Sequence, residues 1–118
     1  MKKMYHLANC TTCQAIIKET KAEEAGVDFQ NIREQKITAK QLDEMKKLSG
    51  SYEALFSRRA LKYKKLGLKD KKLTEEDYRQ YILSEDTFLK RPVTILGDKI
   101  FIGNDKKTVE ALKAALKK

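Results

Sequence analysis

The sequence predicts a mixed α/β domain in which a βαβ unit and a ββα unit flank a helical insertion over about residues 38–84. Three observations carry this reading. A short apolar segment near the N-terminus gives way to helical spacing and then to a second alternating segment. The middle of the chain holds several helix starts and no convincing strand. After the single proline, two β-rich runs meet at a Gly-Asp pair ahead of a last amphipathic stretch. At 118 residues and 41% hydrophobic content, the chain supports one compact core over residues 1–118 and is too short for two full-sized domains. A monomer is expected.

Taken in order, Lys3 to Leu7 reads as a first strand. From Cys13 the apolar positions Ala15, Ile16, Ile17, Ala22 and Ala25 fit one helical stripe, and Gly26 stands where a left-handed C-terminal cap belongs. Val27, Phe29 and Ile32 then alternate as a second strand, parallel to the first because a crossover helix joins them. Thr38 with Gln41 forms a capping-box pattern ahead of Leu42, Met45 and Leu48, with Gly50 closing that helix. Tyr52, Leu55, Phe56, Ala60, Tyr63 and Leu66 continue at helical steps to Gly67. Thr74 with Asp77 opens another helix carrying Tyr78, Tyr81 and Ile82. Val93 to Leu96 and Lys99 to Ile102, joined by Gly97-Asp98, read as a β-hairpin. Asn104 or Asp105 then caps a final helix bearing Val109, Leu112, Ala115 and Leu116, with lysines at its C-terminal end.

Composition excludes several classes of function. Two cysteines are too few for a disulfide scaffold, and no run approaches the ~20 apolar residues that cross a bilayer. The cytoplasm is the expected compartment, with no membrane partner. The formal charge is +9, yet 21 of the 26 basic residues are lysines spread along the chain. That distribution reads as solvated helical faces, and no direct nucleic-acid contact is expected, because such a groove interleaves Arg and aromatic residues in a patch. The dense run from Lys62 to Lys72 reads as a helix end and a turn.

Cys10-Thr11-Thr12-Cys13, at the junction of the first strand and first helix, is the most informative motif. A cysteine at a helix N-terminus meets free backbone N–H groups and the positive end of the helix dipole, both of which favour thiolate. A second cysteine one turn later can attack a Cys10 adduct and release it, so Cys10 reads as nucleophile and Cys13 as resolver. This is the loop at which thioredoxin-like folds expose a redox cysteine. Zinc would need two more ligands, and His6 pairs with nothing downstream, so no metal is expected.

Arg91-Pro92 precedes a strand, where the proline removes a ladder donor and is a candidate for a cis bond; Arg91 suits an oxyanion or the nearby thiolate. Arg59, in a lysine-rich stretch, is a weaker candidate for the same role. Thr11 and Thr12, between the cysteines, are candidate substrate contacts. His6, four residues before Cys10, either tunes the thiolate or packs, and packing is favoured.

Cys-x-x-Cys after the first strand, Ser57-Arg58-Arg59 in the insertion, Leu89-Lys90-Arg91-Pro92-Val93 and Ile100-Phe101-Ile102-Gly103 together resemble the ArsC/Spx family over nearly the whole chain. The resemblance implies a thioredoxin-like, glutaredoxin-type core with an extra helical subdomain. It also implies arsenate reductase-related thiol chemistry in which glutathione is a co-substrate, no cofactor stays bound, and glutaredoxin or thioredoxin supplies electrons. Cys10 falls on the nucleophile, His6 on a histidine four positions upstream, and Arg91 on the arginine before a cis proline, Pro92. Of the family's other oxyanion arginines, the one in the insertion falls near Ser57, with Arg59 the better match to other branches, and the last is replaced by Asn104. The Spx branch implies an alternative, a redox-sensing regulator that binds the RNA polymerase α subunit.

Overall fold

The computed structural model describes residues 2–117. Its elements are β1 (Lys2–His6), α1 (Thr11–Thr20), β2 (Asp28–Asn31), α2 (Ala39–Ser49), α3 (Leu61–Lys65), α4 (Glu75–Ser84), β3 (Val93–Leu96), β4 (Lys99–Ile102) and α5 (Lys106–Leu116), with short 3₁₀ turns at Glu53–Leu55, Leu68–Asp70 and Asp86–Phe88. They fall into two compact units. One comprises the described residues up to Gln35 together with those from Arg91 on; the other is Lys36–Lys90.

In the first unit the strands run in the order β2-β1-β3-β4, with β1 and β2 parallel and the remaining pairs antiparallel. This βαβ plus ββα arrangement is the thioredoxin-like core. Met4 pairs across the sheet with Phe29 and Thr94, so these residues share a face. Met4 packs there with Ile16, Val27, Val109 and Leu112 beneath α1 and α5. Each fully buried aliphatic side chain of this kind contributes about 1.5–3 kcal/mol. Tyr5, Val93 and Ile95, on the opposite face, are buried too. The hairpin turns at Gly97-Asp98 with Leu96 opposite Lys99, and Gly97 takes a φ of +63°. A side chain would strain that position, and glycine adopts it without strain. Asp105 caps α5 by accepting from the Thr108 N–H at 3.2 Å.

The first helix ends earlier than its apolar stripe predicts. Lys21, at φ +56°, takes the left-handed cap, and the Ala22 N–H closes back on the Ile17 carbonyl. The Thr20 hydroxyl adds a bond to the Ile16 carbonyl, which competes with continuation of the helix. Ala22 and Ala25 then lie in a further turn that leaves through Gly26, so the expected left-handed glycine is present but caps this turn.

In the unit Lys36–Lys90, the predicted capping box forms at Thr38, and the predicted helix start at Thr74 is capped in the same way. Thr38 with Gln41 opens α2, and Thr74 with Asp77 opens α4. Gly50 ends α2 at φ +95°. The continuous helical run expected from Tyr52 to Leu66 is broken in two. Phe56 is extended and bridges Leu89, with the Ser57 N–H donating to the Phe88 carbonyl at 2.7 Å and the Lys90 N–H to the Leu55 carbonyl at 2.8 Å. The same step seats the Phe56 ring against Tyr78 and Phe88, with centroids 4.9 and 5.2 Å away. Burying that ring in an aromatic cluster outweighs propagation of a helix whose next turns are mostly lysine.

Candidate functional site

The loop after β1 is held by its own backbone and by two amide side chains. Leu7 is buried, and its carbonyl accepts from the Cys10 N–H at 3.1 Å. The Ala8 N–H donates to Asn31 Oδ1 at the end of β2, and the Gln14 side-chain amide donates to the Ala8 carbonyl from within α1. Cys10 is therefore delivered as the N-cap of α1, in extended conformation, while its carbonyl already accepts the first helical bond from the Gln14 N–H at 3.0 Å. Its side chain is half-buried. Cys13, one turn on, shares the inward face with Ile16 and Thr20 and is fully buried.

Position separates the two thiols chemically. Partial burial alone would raise Cys10. The Cys13 N–H, the Cys13 thiol, the Thr12 N–H and the Arg91 charge together outweigh it, and the Cys10 pKa lies below the ordinary thiol value. The Cys10 sulfur accepts no full capping hydrogen bond, so these N–H groups act at longer range, as expected for a thiol that has yet to ionise. Burial pushes Cys13 up to about 11. The Leu7 backbone opposes this, and the Cys10 side chain reinforces it by accepting the Cys13 proton and repelling a second anion. Of the two thiols the outer one is therefore the first to ionise.

Arg91 and Pro92 meet this loop from the other end of the same unit. The peptide bond between them is cis, Pro92 is buried, and its carbonyl accepts from the Gly103 N–H at 2.9 Å. Arg91 is half-exposed, and its charge favours the anion of both cysteines. Replacing Arg91 by Ala is expected to raise the Cys10 ionisation midpoint. Ultraviolet thiolate absorbance against pH reads this directly, and an unmoved midpoint would show that the arginine does not act on the sulfur.

The other sequence-derived residues divide. Thr11 and Thr12 are exposed on the first turn of α1, where they line an open groove of ≈ 840 Å³ between α1 and the start of α5. Ile16 and Val109 also line it, as do Asn104 and Lys106. His6 lies edge-on to Phe29 with centroids 5.5 Å apart; burial lowers its pKa, opposed by the Leu7 backbone, and Nδ1 is buried with no hydrogen-bond partner among the described residues. Arg59 is exposed in the turn ahead of α3, within the unit Lys36–Lys90. Sequence reasoning missed Gln14 and Asn31 as loop supports, and Lys106 as a groove residue. Only the last carried a signal, since Asp105 as a helix cap in a ββα unit places the start of α5 near α1. No group of three or more His, Cys, Asp or Glu suited to a metal ion occurs among the described residues, and no helix there is long and apolar enough to cross a membrane.

The model of the ArsC family matches residues 5–112. The uncharacterized protein YusI of Bacillus subtilis (strain 168) is 26% identical over 102 residues, which is 84% of this chain and 86% of that protein. Among solved structures, an arsenate reductase from Vibrio cholerae superimposes with a TM-score of 0.79 at 15% identity, covering 94% of this chain and 96% of that one. An arsenate reductase (ArsC) related protein from Brucella melitensis does so at 0.70 and 23%, covering 93% and 92%. A thiol pair at the head of α1, a cis proline ahead of β3 and a family match spanning both make this chain a member of the ArsC family.

Proposed function

We propose that the chain is a thiol-disulfide oxidoreductase of the arsenate reductase-related type, acting on glutathione-linked substrates through Cys10 and Cys13. The observation that carries the reading is the asymmetry of the pair: an outer sulfur stabilised as the anion beside an inner thiol held neutral by burial. The Cys10 thiolate attacks one sulfur of a disulfide; the other sulfur leaves as a thiolate and takes a proton from solvent, and Cys10 is left in a mixed disulfide. Cys10 then no longer carries the charge that opposed ionisation of Cys13. Cys13 gives up its proton, attacks the Cys10 sulfur and expels the bound thiol, leaving a Cys10–Cys13 disulfide. Two electrons have passed to the substrate, and a dithiol of the glutaredoxin or thioredoxin class returns them. Arg91 holds the thiolate, while Thr11, Thr12 and Pro92 contact the substrate.

An oxyanion is the poorer substrate, because Asn104 stands where the resemblance places an arginine and cannot supply its charge. The test is an assay of the reduced protein against a glutathionylated peptide and against arsenate with glutathione, each with and without glutaredoxin. Turnover of the peptide exceeding that of arsenate by about two orders of magnitude is expected, the loss that goes with a missing charged contact. Comparable arsenate turnover would overturn the preference, and no turnover of either would overturn the reading.

A further inference from the structure

We infer that the segment from Leu61 to Lys72 is a docking surface for an acidic protein partner that also offers apolar side chains. Two large hydrophobic residues stand out as exposed among the described residues: Leu61, 76% exposed, and Leu66, 49% exposed. Both lie in this one segment, at the two ends of α3, a five-residue helix that buries none of its residues. The same stretch carries six lysines against the single acid Asp70. All six are exposed. Lys62 pairs with Glu85 at 2.7 Å, whereas Lys64, Lys65 and Lys69 form no ion pair among the described residues.

The composition selects the occupant. A leucine at 76% exposure contributes almost nothing to folding, and Leu61 and Leu66 set two apolar side chains inside one lysine-rich segment. A nucleic acid would engage the lysines through its phosphates and leave the two aliphatic side chains unused. A membrane surface would need a longer amphipathic face than a single turn with two leucines. An acidic protein surface uses both features: its carboxylates meet the unpaired lysines, and its apolar centre covers Leu61 and Leu66.

The test uses the whole chain and a fluorescent glutamate-rich peptide bearing leucines at helical spacing, followed by anisotropy at low and moderate salt. The controls are polyglutamate of equal charge, single-stranded DNA, and vesicles of phosphatidylserine in phosphatidylcholine. Binding of the leucine-bearing peptide is expected, weakened at least about tenfold by Leu61→Ser with Leu66→Ser and abolished by Lys64→Glu with Lys65→Glu and Lys69→Glu. All of these positions are exposed, so an unchanged circular dichroism melt is expected to accompany each variant. Equal binding of polyglutamate or DNA, unaffected by the leucine substitutions, would reduce the surface to general polyanion attraction and overturn the proposal. Vesicle binding without peptide binding would replace the protein partner by a membrane, and no binding of any probe would leave a solvated face.

Discussion

Replacing Cys10 by Ser is expected to lower disulfide reduction by roughly three orders of magnitude or more, because a hydroxyl at that cap does not ionise near neutral pH and cannot act as the nucleophile. Replacing Cys13 by Ser is expected to have a different outcome. The first attack survives and the second is lost, so one equivalent of substrate accumulates as a mixed disulfide on Cys10, visible in the intact mass of the protein. The pH dependence has a definite sign. Cys10 is lowered, so the rate of adduct formation rises with pH through a midpoint below the ordinary thiol value and is flat above it. Cys13, at about 11, adds no second rise near neutrality. Alkylation of the reduced protein should therefore label Cys10 first. Preferential labelling of Cys13 would reverse the assigned roles.

The largest effect on stability is expected at Phe56. Its ring is fully buried, stacked on Phe88 at an interplanar angle of 14°, and surrounded by Tyr63, Tyr78 and Tyr81. Phe56→Ala removes the centre of that cluster and should cost about 3–5 kcal/mol, whereas Phe56→Leu, which keeps most of the volume, should cost about half as much. Urea unfolding of the two variants measures the difference. A loss under about 1 kcal/mol for the alanine variant would mean that the neighbouring rings close the gap by themselves.

What the sequence disclosed about the fold was local chemistry. Thr38 with Gln41, Thr74 with Asp77, Gly50 and Gly97-Asp98 each complete their hydrogen bonds or their turn within a few residues, so their pattern alone gave the right elements. Phe56 shows why the rest was hidden. Its spacing from Tyr52 and Ala60 is helical, but it pairs with Leu89, thirty-three positions later, and no local pattern records that partner. Lys21 in the left-handed region was equally invisible, since lysine is not a residue that announces such a cap. At the site, the spacing of Cys10 and Cys13 and the place of Arg91-Pro92 were legible. Which sulfur is exposed follows from the inward stripe of Cys13, Ile16 and Thr20, a periodicity that runs through the motif itself. The loop supports from Asn31 and Gln14 were not legible, because amides on the surface have no distinctive spacing.

The register of the sheet also sets a timetable. Tyr5, a few residues before the thiol loop, lies opposite Val93, so β1 cannot gain its antiparallel neighbour until most of the chain has left the ribosome. Closing so long a span is entropically slow, and until it closes Arg91 has no fixed place beside Cys10. A nascent or truncated chain can carry both sulfurs and the local N–H groups of the turn and still lack the guanidinium, so the arginine's share of the thiolate's stabilisation arrives late, as a by-product of completing the sheet.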